Sequence, residues 1–403
     1  MDKKLDTKRP IRVLQIVGAL GMGGAETWLL ELLRFWATSQ TVQMDILVTS
    51  GQRAVFDDEA QKLGANVYYC QYGRKHLLRF INQFRRILAR GKYDAIHDHQ
   101  DYVSGWHFLI ALGVAPPVRI SHVHTSRIHI TVNYASSRIR KITTALGQRL
   151  VELLATNICG TSASILRDYG FEPGRTRRPA VSVAHCGFEV GRLSGPKAAD
   201  RRDVRAEFGW PQESKIVLFA GRLDRAMEFD HPQNQKNSWF ALNVVKLAAE
   251  KRPELCFIMA GAGDEMRKDL EAVVAGWGLS ERLRLVGVRQ DLPRLMRGAD
   301  TLLFPSRQEG LGMVAVEAQA AGLPVLASTS VPTECVVLPE MCEFLPLDRP
   351  LEEWANALLA VIDKPRPGMD VFHSAVQSSP FSIENSAALL ESIYSAARHS
   401  HTR

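Results

Sequence analysis

The chain has 403 residues, 46% hydrophobic and 23% charged, with a net charge of +7 and no C-x-x-C pair among its six cysteines. That length exceeds what one core usually spans, so two domains are expected, and the balance of apolar to charged residues excludes a disordered chain. No apolar run approaches the roughly 18 residues of a membrane-spanning helix, which leaves only peripheral membrane contact. The polar start runs directly into a strand without a signal peptide, and the scattered cysteines read as reduced, mostly buried thiols, so a cytoplasmic protein is expected. The basic excess would suit nucleic acid, an anionic membrane face or phosphorylated substrates. It is uneven: no Asp or Glu occurs between Asp101 and Glu152, where Arg119, Arg127, Arg138, Arg140, Lys141 and Arg149 fall.

In chain order, Ile11 to Val17 is an apolar strand of the kind buried inside a parallel sheet. It empties into a glycine loop that includes Gly21, Gly23 and Gly24, followed by a helix from Ala25 to Trp36. Strand, glycine loop and helix open a doubly wound sheet, whose ligands gather at the carboxyl ends of strands. The dinucleotide fingerprint is not met, because Glu26 stands where its third glycine should be. Strands at 44–49, 66–70 and 95–97 and a basic helix at 77–90 continue the alternation. His97, Asp98, His99 and Asp101 crowd one strand end, but without a distant partner of convincing spacing they read as lining and not as a metal site. His124, two residues past the strand Val118 to His122, sits where such a sheet meets its ligand. Residues 127–155 hold a basic amphipathic stretch, with a helix from Arg138, that could dock on anionic lipid or simply present a wet face. Residues 191–211 lack an apolar period and read as the linker.

The second half repeats the grammar: strands at 215–220, 255–260, 283–286, 301–304 and 324–327, with helices at 237–251, 266–276 and 292–298 between them. A last helix, from Ser382 to Arg398, is expected to cross back to the first domain. The domains are thus 1–190, linker 191–211, 212–380 and a returning helix at 381–403. Within the second domain, Glu309 precedes a glycine-bracketed turn and Glu317 lies one turn inside the short helix behind it. The amides of Gly310, Leu311, Gly312 and Met313 would lack helical partners there and could hold an anion. An anion cradle between two carboxylate acceptors suits a diphosphate with hydroxylated groups on both sides, such as a nucleotide-sugar.

With Gly23 to Glu26, His124, Gly221 to Leu223, Lys236 with Asn237, Gly261 with Gly263, and above all the pair Glu309 and Glu317 framed by Pro305, Ser306, Gly310, Gly312 and Gly322, the chain resembles the retaining family 4 glycosyltransferases of the GT-B fold, the type that builds exopolysaccharide and other surface glycans. The resemblance covers nearly the whole chain. It implies an α/β fold of two Rossmann-like doubly wound domains facing a central cleft, and transfer from a nucleotide-diphosphate sugar to a growing, lipid-linked glycan at the inner face of the cell membrane. By the same resemblance Glu309 would accept hydrogen bonds from the donor sugar and Glu317 from the ribose, while Arg222 and Lys236 neutralise the diphosphate. Gly23, Gly24, Gly263, Gly310, Leu311 and Gly312 would approach the phosphates, the backbone near Val288 and Arg289 would meet the base, and His124 would contact the transferred sugar or the acceptor. No metal or other cofactor is implied, and no nucleic acid. A departure is the spacing between Arg222 and Lys236: residues 224–235 intervene, so Lys236 depends on that loop folding back, with Arg225 as its substitute. Glu228, Asp230 and His231 in the same loop read as surface residues. The alternative activities are epimerisation of the nucleotide-sugar by the same fold and, without chemistry, binding of nucleic acid.

Overall fold

The computed structural model describes residues 9–127, 138–195, 197–224, 226–228, 231, 233–364 and 369–399. The chain divides into two compact units, one of residues 1–188 with 380–403 and one of residues 189–379. Each is an α/β unit built on a parallel sheet, the expected class.

The first sheet holds β1 (Ile11–Val17), β2 (Val42–Val48), β3 (Val67–Tyr69), β4 (Ala95–Asp98), β5 (Val118–Val123), β6 (Asn157–Gly160) and β7 (Ala180–Val183), in the order β3-β2-β1-β4-β5-β6-β7. All of these pairings are parallel. Val13, Leu14, Ile16, Ile46, Leu47 and Ile96 are wholly buried, because helices cover both faces of such a sheet. Gln15 is the polar exception at the centre of β1, equally buried. The order reverses between β1 and β4, and the crevice outside the carboxyl ends of those strands is where doubly wound sheets bind ligands.

The helix Ile383–His399 packs in this first unit. Trp28 donates to Ser386 Oγ (3.0 Å), Trp36 to Glu391 Oε1 (2.8 Å) and Gln15 to the Tyr394 hydroxyl (3.1 Å). Elsewhere in the unit the helices Val103–Ile110 and Arg138–Leu154 touch through glycines: a Cβ on Gly147 would lie 2.6 Å from the Tyr102 carbonyl oxygen, and one on Gly105 2.2 Å from that of Gly147. This close approach buries Gly147 and Val151 and turns the opposite side of the second helix to solvent.

The second sheet holds β8 (Lys215–Ala220), β9 (Leu255–Ala260), β10 (Leu283–Gly287), β11 (Thr301–Phe304), β12 (Val325–Ser328) and β13 (Cys342–Leu345), in the order β10-β9-β8-β11-β12-β13. Here too every pairing is parallel. Its reversal lies between β8 and β11. The core gathers Phe219, Phe257, Leu303, Leu326, Leu358 and Trp354. Edge strand β13, four half-buried residues, and the helix Leu351–Asp363 have no counterpart in the sequence reading.

The stretch 191–211, read as a linker from its composition, contains the helix Lys197–Glu207 and belongs to the second unit. Arg205 is fully buried and donates to Asp300 Oδ2 (2.7 Å), to the Ser214 carbonyl (3.0 and 2.7 Å) and to the Gly298 carbonyl (2.9 Å). An apolar periodicity cannot reveal a helix that is held by a buried guanidinium.

Candidate functional site

In the second unit, the loops after β8 and β11 leave adjacent strands on the two sides of the reversal, so the topology itself brings Arg222 and Lys236 together with Glu309. Lys236 Nζ donates to both oxygens of Glu309, at 2.6 and 2.9 Å, and lies 5.9 Å from the centre of the Phe304 ring. Arg222 is exposed and donates to Gln235 Oε1 (2.8 Å). The loop between the two cations does fold back. Asp224, 2% exposed, accepts from the amides of Lys236 and Ser238, both at 3.1 Å, and its own amide donates to Ser238 Oγ. Burial pushes the Asp224 carboxyl upward, and the amides of Ser238, Lys236 and Asn237 oppose that rise. Asn237, with a left-handed φ of 59°, then turns the chain into the helix Ser238–Lys251. Arg225 and Asp230 lie outside the described residues.

The loop after β11 runs from Pro305 to Gly312 and ends in the helix Met313–Ala320. Gly312 caps that helix with φ 91°, a conformation costly for any side chain, and its own surroundings are tight: a Cβ would sit 3.0 Å from both Phe304 and Val331. No side chain caps this helix start. Leu311 is buried beneath the turn, and Glu317 is half-buried one turn into the helix. Gly263 caps the helix Asp264–Gly276 after β9, against Leu223 of the β8 loop. Val288, 46% exposed, follows Gly287 at the end of β10, while the Arg289 guanidinium beside it is committed to Asp291 (2.7 Å) and Glu207 (2.8 Å).

In the first unit, Gly23 caps the helix Gly24–Ser39, and its carbonyl accepts from the Thr27 amide (2.9 Å). The Glu26 carboxyl folds over Gly23, where a Cβ would meet Glu26 Oε2 at 2.1 Å; burial raises its pKa. Gly24 has open space where a Cβ would point, so of the two glycines it presents the open face. His124 is half-buried just past β5, with its amide donating to Asp101 Oδ1 (3.2 Å) and its Nε2 against His99 Nδ1 (2.8 Å). Burial pushes the Asp101 carboxyl up to about 7, against the lowering by the amides of His124 and Thr125.

These two sites, each at the reversal of its own sheet, coincide with the regions that known families recognise. The family model for a glycosyl transferase 4-like domain matches residues 23–187, and that for glycosyl transferases group 1 matches residues 214–364. The chain belongs to the family 4 glycosyltransferases. It is 25% identical over 385 residues to EpsF of Bacillus subtilis (strain 168), provisionally named a glycosyltransferase, covering 95% of this chain and 96% of that protein. Among solved structures it resembles Anabaena Alr3699/HepE in complex with UDP and glucose, with a TM-score of 0.72 at 18% identity over 96% of this chain and 100% of that one. It also resembles the lipopolysaccharide outer core galactosyltransferase WaaB, with a TM-score of 0.65 at 15% identity over 95% and 99%. These likenesses establish the GT-B fold.

The glycosyltransferase carries further residues at these sites that the motifs did not single out. Asp224 is one: it anchors the loop that delivers Lys236. The others are His97, His99 and His122, with Gln15 and Tyr394. The rings of His97 and His122 are coplanar within 2° and bonded Nε2 to Nδ1 at 3.0 Å; His97 Nδ1 meets the Tyr394 hydroxyl at 2.6 Å; His99 Nε2 meets Gln15 Oε1 at 2.8 Å. The distant partner that the sequence pattern lacked is therefore His122. One nitrogen from each of His97, His99 and His122 lies within 4.8 Å of the other two, near enough for one ion to bridge. In this structure His97 is hydrogen-bonded to His122 and Tyr394, and His99 to Gln15 and His124. The signal was present as two H-x-H pairs, 97 with 99 and 122 with 124, each placing both rings on one face of a strand end. Elsewhere all six cysteines are unpaired and five are buried.

Proposed function

We propose that this glycosyltransferase moves a hexose or related sugar from a nucleotide-diphosphate donor to a growing, lipid-linked surface glycan, with retention at the anomeric carbon. The observation that carries the reading is the Lys236–Glu309 pair beside Arg222 at the reversal of the second sheet, directly before an uncapped helix start. On donor binding, Lys236 and Arg222 take up the diphosphate charge with the amides at the start of the helix Met313–Ala320, and Glu309 is released to accept sugar hydroxyls. Glu317 accepts from the ribose. The bond from the anomeric carbon to the phosphate oxygen breaks with its electrons going to the diphosphate. The acceptor oxygen bonds on the same face, and its proton passes to the departing phosphate. Cationic side chains and helix amides serve this charge without a divalent metal. The UDP and glucose held by the HepE structure support the donor class, and the description of WaaB as a lipopolysaccharide outer core galactosyltransferase supports a surface glycan as acceptor.

Thermal-shift screening against UDP-, GDP- and ADP-sugars is expected to pick out one donor, because only a ligand that favours the native state raises its stability. With that donor and a lipid-linked acceptor, glycoside of retained configuration should form at an undiminished rate in excess EDTA. A new nucleotide-sugar isomer formed without acceptor would make the protein an epimerase, and loss of turnover in EDTA would remove the metal-free step.

We further propose that the first unit docks on an anionic membrane through the helix Arg138–Leu154. Its solvent side carries Ile139, Ile142, Leu146 and Leu153, 66, 59, 50 and 63% exposed, flanked by Arg138, Arg140, Lys141 and Arg149. An apolar stripe with basic flanks matches an anionic headgroup surface, each basic residue adding about 1 kcal/mol. No helix among the described residues is long and apolar enough to cross a membrane. The protein should float with anionic vesicles at low salt, less at high salt, and less again as Leu146→Glu. Equal flotation with neutral vesicles, or none at all, would overturn the docking surface.

A further inference from the structure

Four imidazoles meet at the carboxyl ends of β4 and β5 in the first unit. Parallel pairing sets Asp98 opposite Ser121, which brings His99 level with His122 and gathers two pairs, His97 with His99 and His122 with His124. Ring centres lie 4.3 Å apart within the first pair and 4.1 Å within the second. Between the pairs they lie 5.2 Å apart from His97 to His122 and 5.1 Å from His99 to His124. Trp28, 2% exposed, packs against all four rings. His97 and His99 each have an inward and an outward nitrogen. Inward, His97 Nε2 faces His122 Nδ1 at 3.0 Å and His99 Nδ1 faces His124 Nε2 at 2.8 Å. Outward, His97 Nδ1 meets the Tyr394 hydroxyl at 2.6 Å, His99 Nε2 meets Gln15 Oε1 at 2.8 Å, and Gln15 Nε2 donates to Tyr394 at 3.1 Å.

We propose that His97, His99 and His122 hold one divalent transition-metal ion, zinc by availability, through their inward nitrogens, as a structural tie within the first unit. One nitrogen from each comes within 4.8 Å of the other two. Tetrahedral zinc, with bonds of about 2.0–2.1 Å, sets its nitrogen ligands roughly 3.3 Å apart. The facing nitrogens of His97 and His122, at 3.0 Å, have only to part slightly, while the half-buried His99 ring swings inward. His124 Nε2, 2.8 Å from His99 Nδ1, is the adjacent donor for the fourth position. The donor set selects the ion: imidazole without thiolate or carboxylate suits zinc, nickel or copper and not magnesium or calcium. The lone pairs are free to point inward. No carboxylate is hydrogen-bonded to these three rings among the described residues, and histidines buried without one are neutral, with a single proton each. With that proton outward, His99 donates to Gln15 Oε1 and His97 to the Tyr394 oxygen, which keeps a second lone pair for Gln15 Nε2. Ligating histidines are held in this way, by an oxygen at the nitrogen that the metal leaves free. Ligand spacing along the chain did not disclose the set, because the neighbouring strand supplies His122. The ion joins β4 to β5 and, through Tyr394, to the helix Ile383–His399. It takes no part in the diphosphate chemistry proposed for the second unit.

Metal analysis of the full chain, purified without a histidine tag, should find about one zinc per molecule. After prolonged dialysis against EDTA, zinc at a hundred times its Kd should raise Tm by roughly 5 °C or more. Cobalt(II) in its place should give the visible absorption of a tetrahedral site, saturating at one equivalent. His99→Gln should abolish both the cobalt band and the zinc-induced shift while the protein still unfolds cooperatively. Tyr394→Phe, which keeps every ligand and removes only an outward oxygen, should weaken zinc binding roughly tenfold and serves as the test if the first variant does not fold. No zinc in the purified protein together with no shift on adding it, or an unaltered zinc affinity in the variants, would overturn the proposal. Sugar transfer is read separately. A buried ion leaves only as its surroundings open, so short assays in EDTA report the transfer step alone. A zinc-loaded protein that transfers no sugar would count against the proposed function and leave the ion site standing.

Discussion

Replacing Lys236 with alanine is expected to lower kcat by about 10²–10³, the usual effect of removing one preorganised group that meets developing charge. The argument starts from the paired state. Lys236 Nζ sits 2.6 and 2.9 Å from the two oxygens of Glu309, whose side chain is only 9% exposed against 27% for the lysine. Truncation therefore acts twice. It removes a cation from the leaving diphosphate, and it leaves a largely buried carboxylate without its partner, next to a phosphate that it repels. Because the first effect belongs to the transition state, kcat should fall much more than KM rises. Lys236→Arg keeps the charge but replaces a compact ammonium by a planar fork, so it should recover only part of the rate. Arg222→Ala, which removes an exposed side chain held by a single bond to Gln235, should cost less than Lys236→Ala. Steady-state kinetics with the selected donor provide the check, and near-normal turnover in Lys236→Ala would remove this residue from the site.

Arg205→Ala is expected to destabilise the second unit by about 3 kcal/mol, the low end of the range for breaking a buried ion pair, because Arg201 still holds Asp300 Oδ1 at 2.6 Å. For a unit of this size that is a fall in Tm of roughly 10 °C. The loss is more than one contact: the Ser214 and Gly298 carbonyls also lose their donor, while Asp300 keeps Arg201 and the Ile216 amide (2.8 Å). The pH dependence has a definite sign. Burial alone would raise the Asp300 carboxyl, but Arg201, the Ile216 amide and Arg205 outweigh it and hold the group below the usual carboxylate range. A group depressed in the folded state stabilises above its unfolded value, near 4, and loses that contribution as pH falls through the folded value. The gap between wild type and Arg205→Ala should therefore be full at pH 7 and narrow below about pH 4. Thermal unfolding across that interval measures it, and a pH-independent gap would show that the charge pair is not its source.

The strands were legible in the sequence because parallel strands buried on both faces read as continuous apolar runs; β1, β8 and β9 fall where that pattern puts them. The helix start at Gly312 was equally legible, since a turn, a left-handed glycine and a short helix are decided by neighbours in the chain. What lay beyond the pattern was polar and buried. Residues 197–207 carry no apolar period, yet Arg205 is wholly enclosed because Asp300 and the carbonyls of Arg201, Ser214 and Gly298 complete its hydrogen bonds. β13 is too short and too exposed at its edge position to leave a pattern.

By its own composition and spacing the sequence determined two α/β units and the place of the Glu309 and Glu317 pair around a helix start. Local propensity and the burial of apolar faces suffice for that, since each depends on residues a few positions apart. Tertiary structure decided which polar groups meet. Parallel register placed the His97 ring against that of His122, 25 positions away, and a helix near the chain end brought Tyr394 to Gln15. Asp224 drew a long loop closed so that Lys236 could reach Glu309. Hydrogen bonds between buried side chains are directional and need both partners within about 3 Å, a condition that spacing along the chain does not encode and that only the folded arrangement of strands and helices can satisfy.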